Sequence, residues 1–141
     1  MNKECINDYY KIVLRERFSI YEKTIALLDF LSLATFEGKK KPKPYHRCFV
    51  SVEEFLNFAT EYLYSTSDKV WLSDDLLSVR RELNDIITEC DYINDTKRIM
   101  YGKENYEKIN ELCGDIQTLL IRDLLRLHDV EGFLKEKQAR W

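Results

Sequence analysis

Between positions 6 and 31 the apolar residues fall on two adjoining rows. Leu14, Phe18, Tyr21, Ile25 and Leu28 recur at alternating four- and three-residue spacing, which keeps them on one face of an α-helix. Ile6, Val13, Ile20, Leu27 and Leu31 add a second row beside the first. Two rows make a stripe wide enough to be covered by more than one neighbour, so the pattern predicts a bundle rather than a two-stranded coil. The first helix is expected from about Lys3 to Phe36, with Gly38 as its stop.

Further along, the pattern is punctuated by helix-start signals. Ser51 with Glu54 three residues later forms a capping box, and Val50 and Phe55 occupy the staple positions, so a second helix should begin at Val52. Its apolar face is Phe55, Leu56, Ala59, Tyr62 and Leu63, and Ser65-Thr66-Ser67-Asp68 ends it. Ser73, followed by Asp74 and Asp75 in the first turn, opens a third helix with Leu72 and Leu77 as the staple. Leu76, Val79, Leu83, Ile86, Cys90 and Ile93 form the cleanest heptad of the chain. Asn94-Asp95 marks a kink or an end, and the stretch to Gly102 fits either an extended helix or a packed turn. Tyr106, Ile109, Cys113, Ile116, Leu120, Leu124 and Leu127 then carry a fourth helix to about Asp129. Gly114 interrupts it at a cost of about 1 kcal/mol relative to Ala, which points to a close helix crossing or to simple tolerance.

Both prolines of the chain fall in the segment from Gly38 to Cys48, GKKKPKPYHRC. This segment reads as a crossover loop with no continuous backbone ladder. Because helices resume beyond it without a new repeat, residues 1–141 are read as a single all-α domain, a bundle of about four helices with a long first helix and a basic, Pro-containing crossover. A chain of 141 residues with 45% hydrophobic and 33% charged residues can bury one core without staples.

The longest apolar stretch, Ile25 to Phe36, is interrupted by Asp29 and is too short for a bilayer, which needs about 20 apolar residues. The opening Met-Asn-Lys-Glu-Cys leads into a charged amphipathic stretch, not a leader with an apolar centre. A cytoplasmic location is the expectation. Cys5, Cys48, Cys90 and Cys113 are widely separated, with no C-x-x-C pair. They suggest neither a disulfide framework nor a metal site, and Cys90 and Cys113 read as small hydrophobes on helix faces. His46 and Cys48 form only an H-x-C, so His46 and His128 are expected to face solvent, and no metal or other cofactor is implied.

No G-x-S-x-G, no Gly-rich phosphate loop and no H-E-x-x-H occurs, so no catalytic residue is assigned. Asp123, beside the fourth-helix seam and next to Arg122, reads as a core-edge ion pair with Arg17 rather than an acid catalyst. The basic run Lys39, Lys40, Lys41, Lys43 and Arg47, with Tyr45 interleaved, is the sharpest local charge feature and could contact phosphates. Removing these five cations from the net charge of −3 leaves −8 for the remainder, which would repel nucleic acid everywhere else. Cys113-Gly114-Asp115-Ile116 shares a Gly-Asp core with BH3 helices, but Asn110 stands where such helices place their anchor leucine. Among the nine tyrosines and two tryptophans, Tyr45, Tyr64, Tyr92 and Trp141 fall off the apolar seams. Residues of this type are enriched at interface hot spots.

Arg15-Glu16-Arg17-Phe18-Ser19-Ile20-Tyr21-Glu22 before a Leu-rich helix end, Ser51-Val52-Glu53-Glu54-Phe55, Trp71-Leu72-Ser73-Asp74-Asp75 and Ile121-Arg122-Asp123-Leu124 together set a recognisable pattern. In these segments the chain resembles small uncharacterised all-helical bundle proteins of bacteria and their mobile elements. The resemblance implies a helical fold and a bacterial or phage protein acting through protein contacts, and it transfers no catalytic residue. The expected function is therefore non-enzymatic: binding to another protein or to a second copy of the chain. The alternative is a nucleic-acid accessory protein using the 39–47 loop. An enzyme with its site between helices would need a polar cavity with converging titratable groups.

Overall fold

The computed structural model describes residues 3–37, 43–63 and 68–138, and within these the chain is mostly helical. A long helix α1 (Lys3–Leu31) leads into an antiparallel ribbon of β1 (Ala34–Glu37) and β2 (Lys43–His46). A 3-10 turn (Arg47–Phe49) connects the ribbon to α2 (Val52–Phe58), which runs on as a π-turn (Ala59–Leu63). The short α3 (Asp68–Trp71), α4 (Asp74–Thr88), α5 (Asp95–Glu104), α6 (Tyr106–Leu125) and α7 (Val130–Gln138) follow.

The two capping signals are where the sequence puts them. The Ser51 hydroxyl accepts the Glu54 amide at 3.1 Å, and Ser73 accepts that of Leu76 at 3.4 Å. Three expected helix ends move. The first helix stops at Leu31, because Ala34–Glu37 pairs with Lys43–His46, Ala34 opposite His46. A short apolar run does not distinguish a helix end from a strand. The crossover thus carries a backbone ladder after all, with Pro44 in a ribbon that has two free edges, where a missing N–H is tolerated. Gly38 and the expected end of helix two at Ser65-Thr66-Ser67 lie outside the described residues. The third helix ends at Thr88, not near Ile93, because Asn94 starts a new helix, its Oδ1 accepting the Lys97 amide at 2.9 Å. The fourth ends at Leu125, and a separate α7 follows it.

Only the second row of α1 is the core row. Val13, Ile20, Leu27 and Leu31 are buried together with Tyr21, whereas Phe18 and Ile25 of the first row are exposed. The main core joins Ile20, Leu27 and Leu31 of α1 to Phe49, Phe55 and Phe58, to Leu76, Leu83 and Ile87 of α4, and to Ile109, Leu112, Ile116 and Leu120 of α6. Val79 and Ile86 of the α4 heptad pack against its edge, and Ile93 lies outside it, exposed. A smaller cluster of Val13, Val130 and Phe133 seats α7 on α1.

Candidate docking face between two helices

The sequence-selected aromatic residues do not gather. Tyr45 is 5% exposed and belongs to the main core. Lys43, two positions earlier and so on the same face of the strand, is exposed, and burial deepens along the strand from Lys43 to His46. Tyr92 is half-buried, its ring stacked on Phe55 with centroids 5.2 Å apart. Tyr64 and Trp141 lie outside the described residues, as do Lys39, Lys40 and Lys41. Lys43 is exposed opposite Glu37, and Arg47 is exposed with its Nε 3.8 Å from Glu54. His46, expected in solvent, is buried. Its Nε2 is 2.8 Å from Asn110 Oδ1, its Nδ1 has no partner among the described residues, and burial holds its pKa below the ordinary value. Burial likewise pushes the Cys90 and Cys113 thiols up to about 11 and that of Cys48 higher still, which makes these thiols poor nucleophiles.

Titratable groups do converge at one place, beneath α7. Arg17, buried in α1, donates to the Tyr21 hydroxyl at 2.7 Å, and Tyr21 donates to Asp123 at 3.4 Å. The Ser73 hydroxyl also donates to Asp123, while Arg122 donates to it at 2.9 Å and to Asp75 at 2.8 Å. The expected pairing of Arg17 with Asp123 is thus relayed through Tyr21, whose pKa burial raises to about 12. Phe133 of α7 covers the Arg17 guanidinium at 3.8 Å, and Lys137 reaches Asp74 at 3.1 Å. A cavity of about 190 Å³ remains here. Its buried acid already accepts from three groups, which is the pattern of a polar clasp holding α1, α4, α6 and α7 together.

The larger feature is apolar. α1 and α6 lie antiparallel, since Tyr21 meets Asp123 near one end of the pair and Ser32 shares a groove with Asn110 near the other. That groove encloses about 560 Å³ and is walled by Ile25, Leu28, Cys113, Leu120, Ile121 and Leu124. Two of its wall residues are exposed, Ile25 at 41% and Ile121 at 54%, and the helical repeat carries the exposed strip on to Phe18 at 51% and Leu125 at 74%. Gly114 opens into it, with nothing within 4 Å of the place a Cβ would take. Among the described residues no helix crosses at Gly114, which favours the tolerance reading.

Comparison of the chain with family models, with curated proteins and with solved structures yields no match. Among the described residues no three His, Cys, Asp or Glu side chains group as a metal site, and no helix is long and apolar enough to cross a membrane.

Phe18 and Ile25 were not distinguishable as surface in the sequence, because their row has the same periodicity as the core row. The usable signal was the width of the stripe: α1 carries more apolar surface than the chain's own helices cover.

Proposed function

We propose that the chain is a non-enzymatic helical bundle, its longer helices α1, α4 and α6 forming the frame, that works by binding protein through the α1–α6 face. The observation that carries this reading is the exposure of Ile25 and Ile121 in the wall of the groove, with exposed Phe18 and Leu125 next on the same helix faces, seven and four positions away. Scattered exposed apolar residues need no explanation, but exposed apolar side chains gathered on the two helix faces that wall an apolar groove mark an interaction surface. Nucleic-acid binding through Lys39, Lys40, Lys41, Lys43 and Arg47 is the weaker reading. Tyr45, the aromatic within that run, is buried and so offers no platform for stacking a base, and Arg47 lies beside Glu54.

A photo-crosslinking residue placed at Ile25 or Ile121, expressed in the native host, tests the proposal, with Ser78 on the exposed side of α4 as the control position. Protein adducts from the first two and none from the third are expected. Absence of any protein adduct at both face positions would reject it, and nucleic-acid adducts would favour the other reading.

A further inference from the structure

The exposed side of α1 is not uniformly apolar, and the order of its charges points to the occupant of this face. Lys11, Arg15, Phe18, Glu22, Ile25, Asp29 and Ser32 follow one another at alternating four- and three-residue steps, so they form one straight outward seam. All seven are exposed. The seam is basic toward the start of the helix, with Lys11 and Arg15, apolar at Phe18 and Ile25, and acidic toward its end, with Glu22 and Asp29. Among the described residues none of these four charges takes part in an ion pair within the chain. Lys11 and Asp29 are 18 positions apart, about 27 Å along the axis at 1.5 Å per residue.

We infer that the α1–α6 face binds a second copy of this chain, with the two α1 helices antiparallel about a two-fold axis near the middle of the seam. This deepens the proposed function and rests on its reading of the face as a protein-binding surface. In a two-fold interface each patch meets itself. An antiparallel arrangement centred near Phe18 lays the Lys11–Arg15 end of one seam on the Glu22–Asp29 end of the other, twice, brings the two Phe18 side chains together at the centre, and sets Ile25 of each copy between Lys11 and Arg15 of the other. A parallel arrangement would set like charges against like, which is destabilising. Ile121 of α6 lines the groove with Ile25 and Asp29 of the seam and widens the apolar strip, and exposed Leu125 follows one turn further along α6. A face two helices wide, about 20 Å, and 30 to 43 Å long offers on the order of 600–860 Å² per copy. That is the area each partner contributes to an interface of standard size.

The test is sedimentation equilibrium of the full chain and of two charge variants, one carrying Lys11→Glu and Arg15→Glu, the other Glu22→Lys and Asp29→Lys. All four positions are exposed, so both variants should keep the helical circular dichroism and melting temperature of the parent. The parent should sediment as a dimer of the 16.9 kDa chain at tens of micromolar. Each variant alone should dimerise about a hundredfold more weakly, because one seam is then wholly acidic and the other wholly basic. Mixed in equal amounts, the two variants should regain the dimer. A parent that stays monomeric at 100 µM would overturn the inference, and so would variants that dimerise as well as the parent. If that monomer still gives adducts with a different protein from Ile25 and Ile121, the self-pairing is wrong while the reading of the face survives.

Discussion

The carbonyl of Phe49 accepts a 2.7 Å hydrogen bond from Nε of Arg98, a side chain buried to 1% exposure. The same guanidinium donates to the carbonyls of Tyr92 at 2.7 Å and Val50 at 3.1 Å, and to Asp95 at 2.8 Å. One planar fork thus ties the start of α5 to the turn before α2. Phe49 and Val50 sit at the end of the 3-10 turn and Tyr92 in the connection between α4 and α5, where these carbonyls depend on the guanidinium, and a buried carbonyl without a partner is costly.

Arg98→Lys should therefore behave as a severe substitution. An ammonium lacks the rigid fork, so at least two of the three carbonyls lose their donor, at about 1–3 kcal/mol each. Urea unfolding followed by circular dichroism measures it. A variant within 1 kcal/mol of the parent would show that water replaces the guanidinium without loss.

Two glycines on helices should respond oppositely to the same change. A Cβ on Gly102 would lie 2.8 Å from the Phe49 ring, so Gly102→Ala should cost about 1–3 kcal/mol through overpacking. Gly114 faces open space, and Gly114→Ala should stabilise by up to about 1 kcal/mol through helix propensity. Denaturant midpoints of the two variants give both signs in one experiment.

Tyr21→Phe removes the hydroxyl that relays Arg17 to Asp123 while keeping the ring in the core. A loss of about 1–3 kcal/mol is expected, the cost of leaving buried donors and acceptors short of a partner. The parent should also lose stability between pH 10 and 12, because the folded phenol ionises near 12 and the unfolded one near 10. Thermal melts across that range should show a smaller decline in Tyr21→Phe. Equal declines would place the alkaline sensitivity elsewhere.

His46 sets an acid-side dependence. Its folded pKa lies below the unfolded value, so the unfolded chain takes up the proton first. The contribution of this group is then fully present above the unfolded pKa of about 6.5 and is lost as pH falls below it. His46→Gln, which retains a donor for Asn110, should flatten the melting temperature between pH 7 and 5 relative to the parent. A slope unchanged by the substitution would assign it to other groups.

Much of the helical frame was legible because caps and periodicity are local. Ser51, Ser73 and the α4 and α6 seams act within a turn or two of themselves, so their patterns survive in the bare sequence. The ribbon was not legible, since Ala34–Glu37 becomes a strand only through pairing with Lys43–His46. Arg98 was missed for the same reason: three of its partners are backbone carbonyls, which no side-chain motif announces. The α1 face was half legible. Periodicity found both apolar rows, but which row meets the core depends on where α6 docks, and that is set by contacts such as Tyr21 with Asp123, 102 positions apart.

That docking has a kinetic consequence. α4, α5 and α6 follow one another closely and can condense from contacts near in sequence, whereas the α1 side of the core closes only when a segment of about a hundred residues has been brought round, an entropy cost that grows with the logarithm of its length. Folding should therefore be slower than in a bundle whose helices each pack on their sequence neighbour. Truncations in the later-arriving row, Val13→Ala or Leu27→Ala, should mainly speed unfolding, while Leu83→Ala and Ile116→Ala should slow the refolding arm of the chevron.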